Sequence, residues 1–213
     1  MSTVAVIDYG MGNLRSVSKA LEYVAGGGHR IIVSQDPERI RHAERVVLPG
    51  VGALRDCMAE CRRRELIDVI TECAASKPFL GICLGMQALL DDSEENDGTA
   101  GLGIIHGRVL RFVSDESTPG LKIPHMGWNQ VHQKVRHPLF RDIGQDARFY
   151  FVHSYYVKPA AADSEAAITD YGRAFTSALA WRNIFAVQFH PEKSQHDGLK
   201  LLANFLAWDG SEA

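Results

Sequence analysis

Short apolar runs without helical period alternate with amphipathic stretches through the first half of the chain. "TVAVID" at 3–8 is β-branched and stops at the glycine-bearing turn "YGMGN". Leu14, Val17, Leu21 and Val24 then recur at spacings of three and four, which puts them on one face of a helix. "AGGGH" ends that helix, and "RIIV" at 30–33 and "RVVLP" at 45–49 read as strands. Segments 53–62 and 65–76 read as helices, "PFLGI" at 78–82 as a buried strand, and 84–91 as the start of another helix. Such alternation predicts a parallel α/β sheet. From about 104 to 135 the pattern changes: "GIIHGRVLRF" and "KIPHMGWNQV" read as strands with no clear helix between them. "RFYFVHSYYV", "AAITDY" and "IFAVQF" continue a β-rich second half, and a helix from about Gly198 closes the chain, with Leu199, Leu202 and Leu206 on one face.

A length of 213 residues suits a single domain over 1–213, with no repeat or linker and with "SDESTPG" at 114–120 as the best loop candidate. Apolar residues make up 46%, enough for a substantial core, and 23 basic against 26 acidic residues leave −3. That balance argues against a nucleic-acid surface. "RRRE" at 62–65 reads as a solvated helix end. No run of about 18 apolar residues predicts a membrane span. The N-terminus has no basic region and enters a strand at once, so the expected location is the cytoplasm. Cys57, Cys61, Cys73 and Cys83 form no C-x-x-C and no zinc-ligand spacing, so no metal is expected. Cys57 and Cys61 lie one helical turn apart and read as small apolar residues.

Cys83 is different. "FLGICLGMQ" puts it between an apolar strand and a helix, with Gly81 and Gly85 two residues to either side. That is the mechanical pattern of a nucleophile elbow, a strained strand-to-helix turn that needs small neighbours. A helix N-terminus favours the thiolate, and its free amide, on Leu84, can bind an oxyanion. A buried cysteine beside packing glycines is the alternative. A nucleophile of this type wants a base. In "VQFHPEKS" a strand delivers His190, and Pro191 biases it toward an extended conformation. Glu192, two residues on, then faces the same way and can fix the imidazole tautomer. An ordinary loop after a strand remains open for "HPE". In "LPGVGA" at 48–53, Gly50 and Gly52 free the backbone as a hinge, and the Val51 amide could turn toward an oxyanion. A plain turn is the competing use.

These three motifs, in this order, resemble the class I (triad) glutamine amidotransferases, over nearly the whole chain. The fold implied is an open, mixed, mostly parallel β-sheet flanked by helices, with a β-rich second half. By that resemblance Cys83 attacks the glutamine carboxamide, His190 and Glu192 complete the triad, and Val51 and Leu84 form the oxyanion hole. Gln87 and Glu95, with the backbone of His153, Ser154 and Tyr155, would hold glutamine. "IDYGMGNLRSV", "PHMGWNQV" and "YFVHSYYV" resemble one branch, the glutaminase subunits of imidazole glycerol phosphate synthase in histidine biosynthesis. That branch implies a heterodimer with a separate cyclase subunit, a (β/α)8 barrel that receives ammonia, and no cofactor. It also suggests partner contacts at Asp8, Tyr9, Asn13 and Trp128. Another acceptor, or a partner-independent thiol hydrolase, is the alternative function. The chain departs from the usual pattern at 25–31, 54–55 and 181–182.

Overall fold

In β1 (Ser2–Ile7) neighbouring side chains enter two different cores. Val4 and Val6 pack on one side, Ala5 and Ile7 on the other. A strand covered on both faces needs a continuous apolar run, which is why this half of the sequence shows no alternation. The computed structural model describes residues 1–116 and 118–211, so Ser117 of the predicted loop lies outside the described residues.

The chain runs through α1 (Leu14–Ala25), β2 (His29–Ser34), α2 (Pro37–Arg41), β3 (Arg45–Gly50), α3 (Leu54–Arg63), α4 (Ile67–Ser76), β4 (Phe79–Cys83) and α5 (Leu84–Ala88). A hairpin follows, β5 (Asp92–Ser93) and β6 (Thr99–Ala100). Next come β7 (Gly107–Arg111), β8 (His125–Gln130), β9 (His132–Gln133), β10 (Arg148–His153), β11 (Tyr155–Pro159), β12 (Glu165–Asp170), β13 (Ala174–Trp181), β14 (Ile184–Val187) and α6 (Gln195–Ala207). The main sheet has the order β2-β1-β3-β4-β14-β13-β11-β7-β5-β6, with β12 and β9 branching from β13. From β2 to β14 all pairs are parallel, and β14 to β7 is antiparallel. β8 and β10 form a separate antiparallel ribbon. No helix among the described residues is long and apolar enough to cross a membrane.

The expected face of α1 is the buried one: Val17 and Leu21 lie in the first core with Leu14 and Val24 against it. α6 covers the same side through Leu201, Leu202 and Phe205. The other side is closed by α2, α3 and α4, where Cys57, Cys61 and Cys73 are buried free thiols. Three readings change. The helix expected over 84–91 is only five residues long, because Leu102 and Ile104 return to bond the carbonyls of Ala88 and Leu89. The run 148–157 divides at Ser154 into β10 and β11, which belong to different sheets. The last helix starts at Gln195 rather than near Gly198, after a turn of 3-10 helix at Pro191–Lys193. Of the departures from the usual pattern, Gly26 ends α1 in the left-handed region at φ +52, and Arg182 takes φ +53 in the tight β13–β14 hairpin.

β3, β4 and β14 are neighbours, so Gly50, Cys83 and the segment after Val187 end side by side. α5 then packs straight back onto β3. A Cβ at Gly85 would stand 1.8 Å from the Leu48 carbonyl oxygen, closer than any real contact. Gly85→Ala must therefore push α5 off the sheet. Overpacking of this kind costs about 1–3 kcal/mol, and the urea midpoint of the variant is expected to fall accordingly.

Burial holds four histidines below their usual titration range: His29 is lowered, and His125 and His137 fall to about 4 and His153 to about 3, from a reference of 6.5. The unfolded chain then binds more protons than the folded one between these values, so stability falls as pH drops through that window. The urea midpoint is expected to decline between about pH 6.5 and about pH 4. His137 accepts the Leu139 N–H at its Nδ1 and stacks on Phe185. His137→Asn keeps an acceptor, loses the titration, and should flatten that decline while lowering the plateau.

Candidate active site

Cys83 ends β4 with φ 53 and ψ −107 and leads directly into α5. A non-glycine residue held in such a region costs roughly 1–3 kcal/mol and persists only where its surroundings impose it. Here β4 is locked between β3 and β14 up to residue 82 or 83 while α5 is pressed on Leu48. The turn expected at G-x-C-x-G is thus a strained elbow, with both flanking glycines in close quarters.

His190 follows β14 and is fixed at both backbone ends. Its N–H donates to the Tyr150 carbonyl at 2.9 Å, and its carbonyl accepts from Ser194 Oγ at 2.6 Å. Its Nδ1 lies 2.9 Å from Glu192 Oε1, and the two side chains are 2% and 1% exposed. The pairing arises by a different route from the extended dipeptide expected. His190 is extended, but Pro191 opens a 3-10 turn, a position where its fixed φ fits. Burial opposes a charge on His190, but the neighbouring Cys83 sulfur and Glu192 outweigh it and push its pKa up to about 10. Among the described residues, Nε2 of His190 and Oε2 of Glu192 are buried without hydrogen-bond partners. With Nδ1 held on the carboxylate, Nε2 is the atom left for proton transfer.

A cavity of about 320 Å³ opens over these residues, within the ~300–1,000 Å³ range of small-ligand sites. Val51, Gly52, Cys83, Leu84, Gln87, Glu95, His153, Ser154, Tyr155 and His190 all line it, with Pro124 and Val152. One pocket therefore gathers ten of the residues singled out in the sequence, while Gly50, Glu192, Asp8, Tyr9, Asn13 and Trp128 lie outside its lining. Gly52 has φ +94, the backbone freedom expected of a hinge. Gly50 is required for space instead: a Cβ there would stand 2.7 Å from both Leu84 Cβ and Tyr9 Oη. Glu95 Oε2 accepts the Leu54 N–H at 2.7 Å, so this carboxylate caps the start of α3 just after the Val51–Gly52 loop.

Tyr9 must be corrected as a partner contact. Its side chain is fully buried in the second core behind Gly50, and burial pushes its phenol well above the usual range. Asp8 and Asn13 are partly exposed, and Asp8 accepts the Gly10 N–H. Trp128 is 38% exposed on β8, beside Met126 at 62%.

Sequence reasoning missed Gln188. Its side chain is fully buried and its Nε2 donates to Cys83 Sγ at 3.6 Å. The signal was present: a lone amide in the apolar run "FAVQF" has no reason to be there unless something buried pairs with it.

The sequence pattern of the family described as glutamine amidotransferase class-I matches residues 5–208. The imidazole glycerol phosphate synthase subunit HisH of Nitrosococcus oceani is 64% identical over 210 residues, 99% of each chain. Subunit HisH 1 of the same synthase from Pseudomonas aeruginosa is 57% identical over 99% of each chain. A crystal structure of a glutamine amidotransferase superposes with TM-score 0.72 at 17% identity, covering 96% of this chain and 97% of the other, which bears on the fold. With more than half its residues shared end to end with two such subunits, and with a strained Cys83 facing His190 in one pocket, the chain belongs to the class-I glutamine amidotransferase family.

Proposed function

We propose that residues 1–213 form one glutamine amidotransferase domain, the glutaminase subunit of an imidazole glycerol phosphate synthase. The observation that carries the chemistry is the elbow cysteine sharing a cavity with a histidine whose Nδ1 is bound to a buried carboxylate. The full-length likeness to HisH subunits carries the pathway.

In this reading glutamine enters the cavity and Cys83 Sγ, as thiolate, attacks the side-chain carbonyl carbon. The oxygen takes the negative charge, which the amides of Val51 and Leu84, two residues that line the cavity, would stabilise as the oxyanion hole. His190 Nε2, protonated, gives its proton to the amide nitrogen. The C–N bond breaks, ammonia leaves, and a glutamyl thioester remains on Cys83. His190, now neutral, takes a proton from water, the hydroxide attacks the thioester, and glutamate departs as the thiolate is restored. Glu192 keeps Nδ1 protonated throughout, so both transfers use Nε2. Gln87, Glu95 and the 153–155 backbone are the glutamine contacts. Ammonia passes to a (β/α)8-barrel cyclase subunit in a cytoplasmic heterodimer, with Trp128 and Met126 on the surface offered to it. The resemblance implies no cofactor.

Glutamine hydrolysis by the purified chain is expected to be weak alone and strong with a cyclase barrel carrying its phosphoribulosyl ligand. Cys83→Ala should abolish both, and strong unstimulated hydrolysis would remove the pathway assignment. His190→Ala should lower kcat by about 10²–10⁴-fold; normal turnover by that variant would refute the mechanism.

Glu192→Gln removes a carboxylate that raises the His190 pKa. The imidazolium then loses its proton at lower pH than in the parent protein. A histidine-resolved NMR titration should show that downward shift, with a kcat loss smaller than that of His190→Ala. An unmoved titration would separate Glu192 from the triad.

A further inference from the structure

One unbroken hydrogen-bond chain runs from the β8 ribbon to the candidate nucleophile, and every donor in it is fixed by chemistry. At the far end the Gln130 N–H, a donor, bonds Asn129 Oδ1 at 2.8 Å. Asn129 Nδ2 therefore faces His125 Nε2 at 3.2 Å and the Asp170 carbonyl at 2.8 Å. Nε2 of His125 must accept, so its proton is on Nδ1, which donates to His153 Nε2 at 2.9 Å. His153 in turn carries its proton on Nδ1 and donates to the Tyr155 carbonyl at 2.8 Å.

That carbonyl can only accept, and it accepts twice. Gln87 Nε2 lies 3.0 Å from it and 3.1 Å from Gln188 Oε1. Gln87 therefore presents N–H to Gln188, and Gln188 must answer with its oxygen. Its Nε2 is left pointing at Cys83 Sγ, 3.6 Å away. Turning the Gln188 amide over would set two N–H groups against each other beside Gln87 and an oxygen against the sulfur. In a fully buried side chain that arrangement has no compensation from water.

We propose that Gln188 is a further member of the catalytic machinery: its amide N–H, forced onto Cys83 by the chain above it, holds the sulfur in the accepting role and so favours the reactive thiolate. The inference rests on Cys83 being the nucleophile. A hydrogen bond donated to the charged form of a group stabilises that form, and more so in a buried site. The donor also opposes rotation of the sulfur away from the pocket.

The test reads the thiol itself, without glutamine or partner. The full chain is treated with iodoacetamide over a range of pH, and the labelling rate of the Cys83 peptide is followed by mass spectrometry. Gln188→Leu removes the donor at similar volume. Gln188→Glu keeps the shape and the bond from Gln87 but sets an acceptor against the sulfur. Near neutral pH the labelling rate is expected to fall about tenfold in Gln188→Leu and further in Gln188→Glu. In alkali, where the thiol ionises without help, all three rates should converge.

Equal rates near neutrality, or a deficit that persists in alkali, would overturn the role; the second outcome would mark Gln188 as a packing residue. Far-UV circular dichroism confirms that each variant is folded before its rate is compared. Glutamine hydrolysis by Cys83→Ala separates this proposal from the one beneath it. If that variant still hydrolyses glutamine, the nucleophile is wrong and the Gln188 role falls with it. If it is inactive while the Gln188 variants label normally, only the Gln188 role falls.

Discussion

The site depends on one backbone constraint: the chain must turn from β4 into α5 at Cys83 with φ in the left-handed region. Close packing beneath the cavity holds that turn. Gly85 removes the side chain that would strike the Leu48 carbonyl, and Gly50 leaves room for Leu84 and Tyr9. Tyr9, fully buried, fills the volume behind the loop. The strain is held by packing on three sides, so it cannot relax without moving the sheet. This is also why the glycines of "PGVG" are not equivalent. Gly50 answers a shortage of space, and Gly52 supplies a positive φ.

The cavity treats its two histidines in opposite ways. His153 and His190 are both buried, and burial alone lowers the pKa of each. His190 has a carboxylate at Nδ1 and the Cys83 sulfur nearby, and its pKa ends high. His153 bonds the Tyr155 carbonyl and a neutral His125 and lies near the charge of His190, and its pKa ends low. Environment, not residue type, divides the two rings: one is held protonated and the other neutral. A proton on His153 would put an N–H against the Nδ1–H of His125, so the structure excludes the charge geometrically as well as by desolvation.

The sequence revealed the parallel half because its local signals agree with its packing. Buried strands read as apolar runs, α1 shows its face, and G-x-C-x-G marks its own turn. His190 and Glu192 were legible as a pair, although the pairing comes from a 3-10 turn and not from an extended strand. What was hidden depends on tertiary placement. No local feature separates β10 from β11 within "RFYFVHSYYV"; the two strands part because β10 pairs with β8 and β11 with β7. Tyr9 sits in a polar, glycine-rich turn that looks exposed, and it is the second core, assembled from distant segments, that buries it. Gln188 was visible as an anomaly but not as a partner of Cys83, since their sequence separation of 105 is closed by the β4–β14 register.

β8 shows why "PHMGWN" resists a reading by position alone. Period-two alternation sends Met126 and Trp128 outward and His125 and Asn129 inward. The outer residues present an apolar face, and the inner ones are the far end of the polar chain that reaches Tyr155, Gln87 and Gln188. One six-residue strand thus joins the surface to a pocket-lining residue, His153. His125 pairs in register with His153, so a shift of β8 along its own axis must either break the His125–His153 bond or carry His153 with it. His153 is the first pocket residue to register that shift, and the Tyr155 carbonyl, on which both branches of the chain end, is the next. The sulfur lies only two amides further on. Mechanical continuity of this kind requires that no member be free to rotate, and the fixed donors at Gln130 and the fixed acceptor at Tyr155 meet that requirement from both ends.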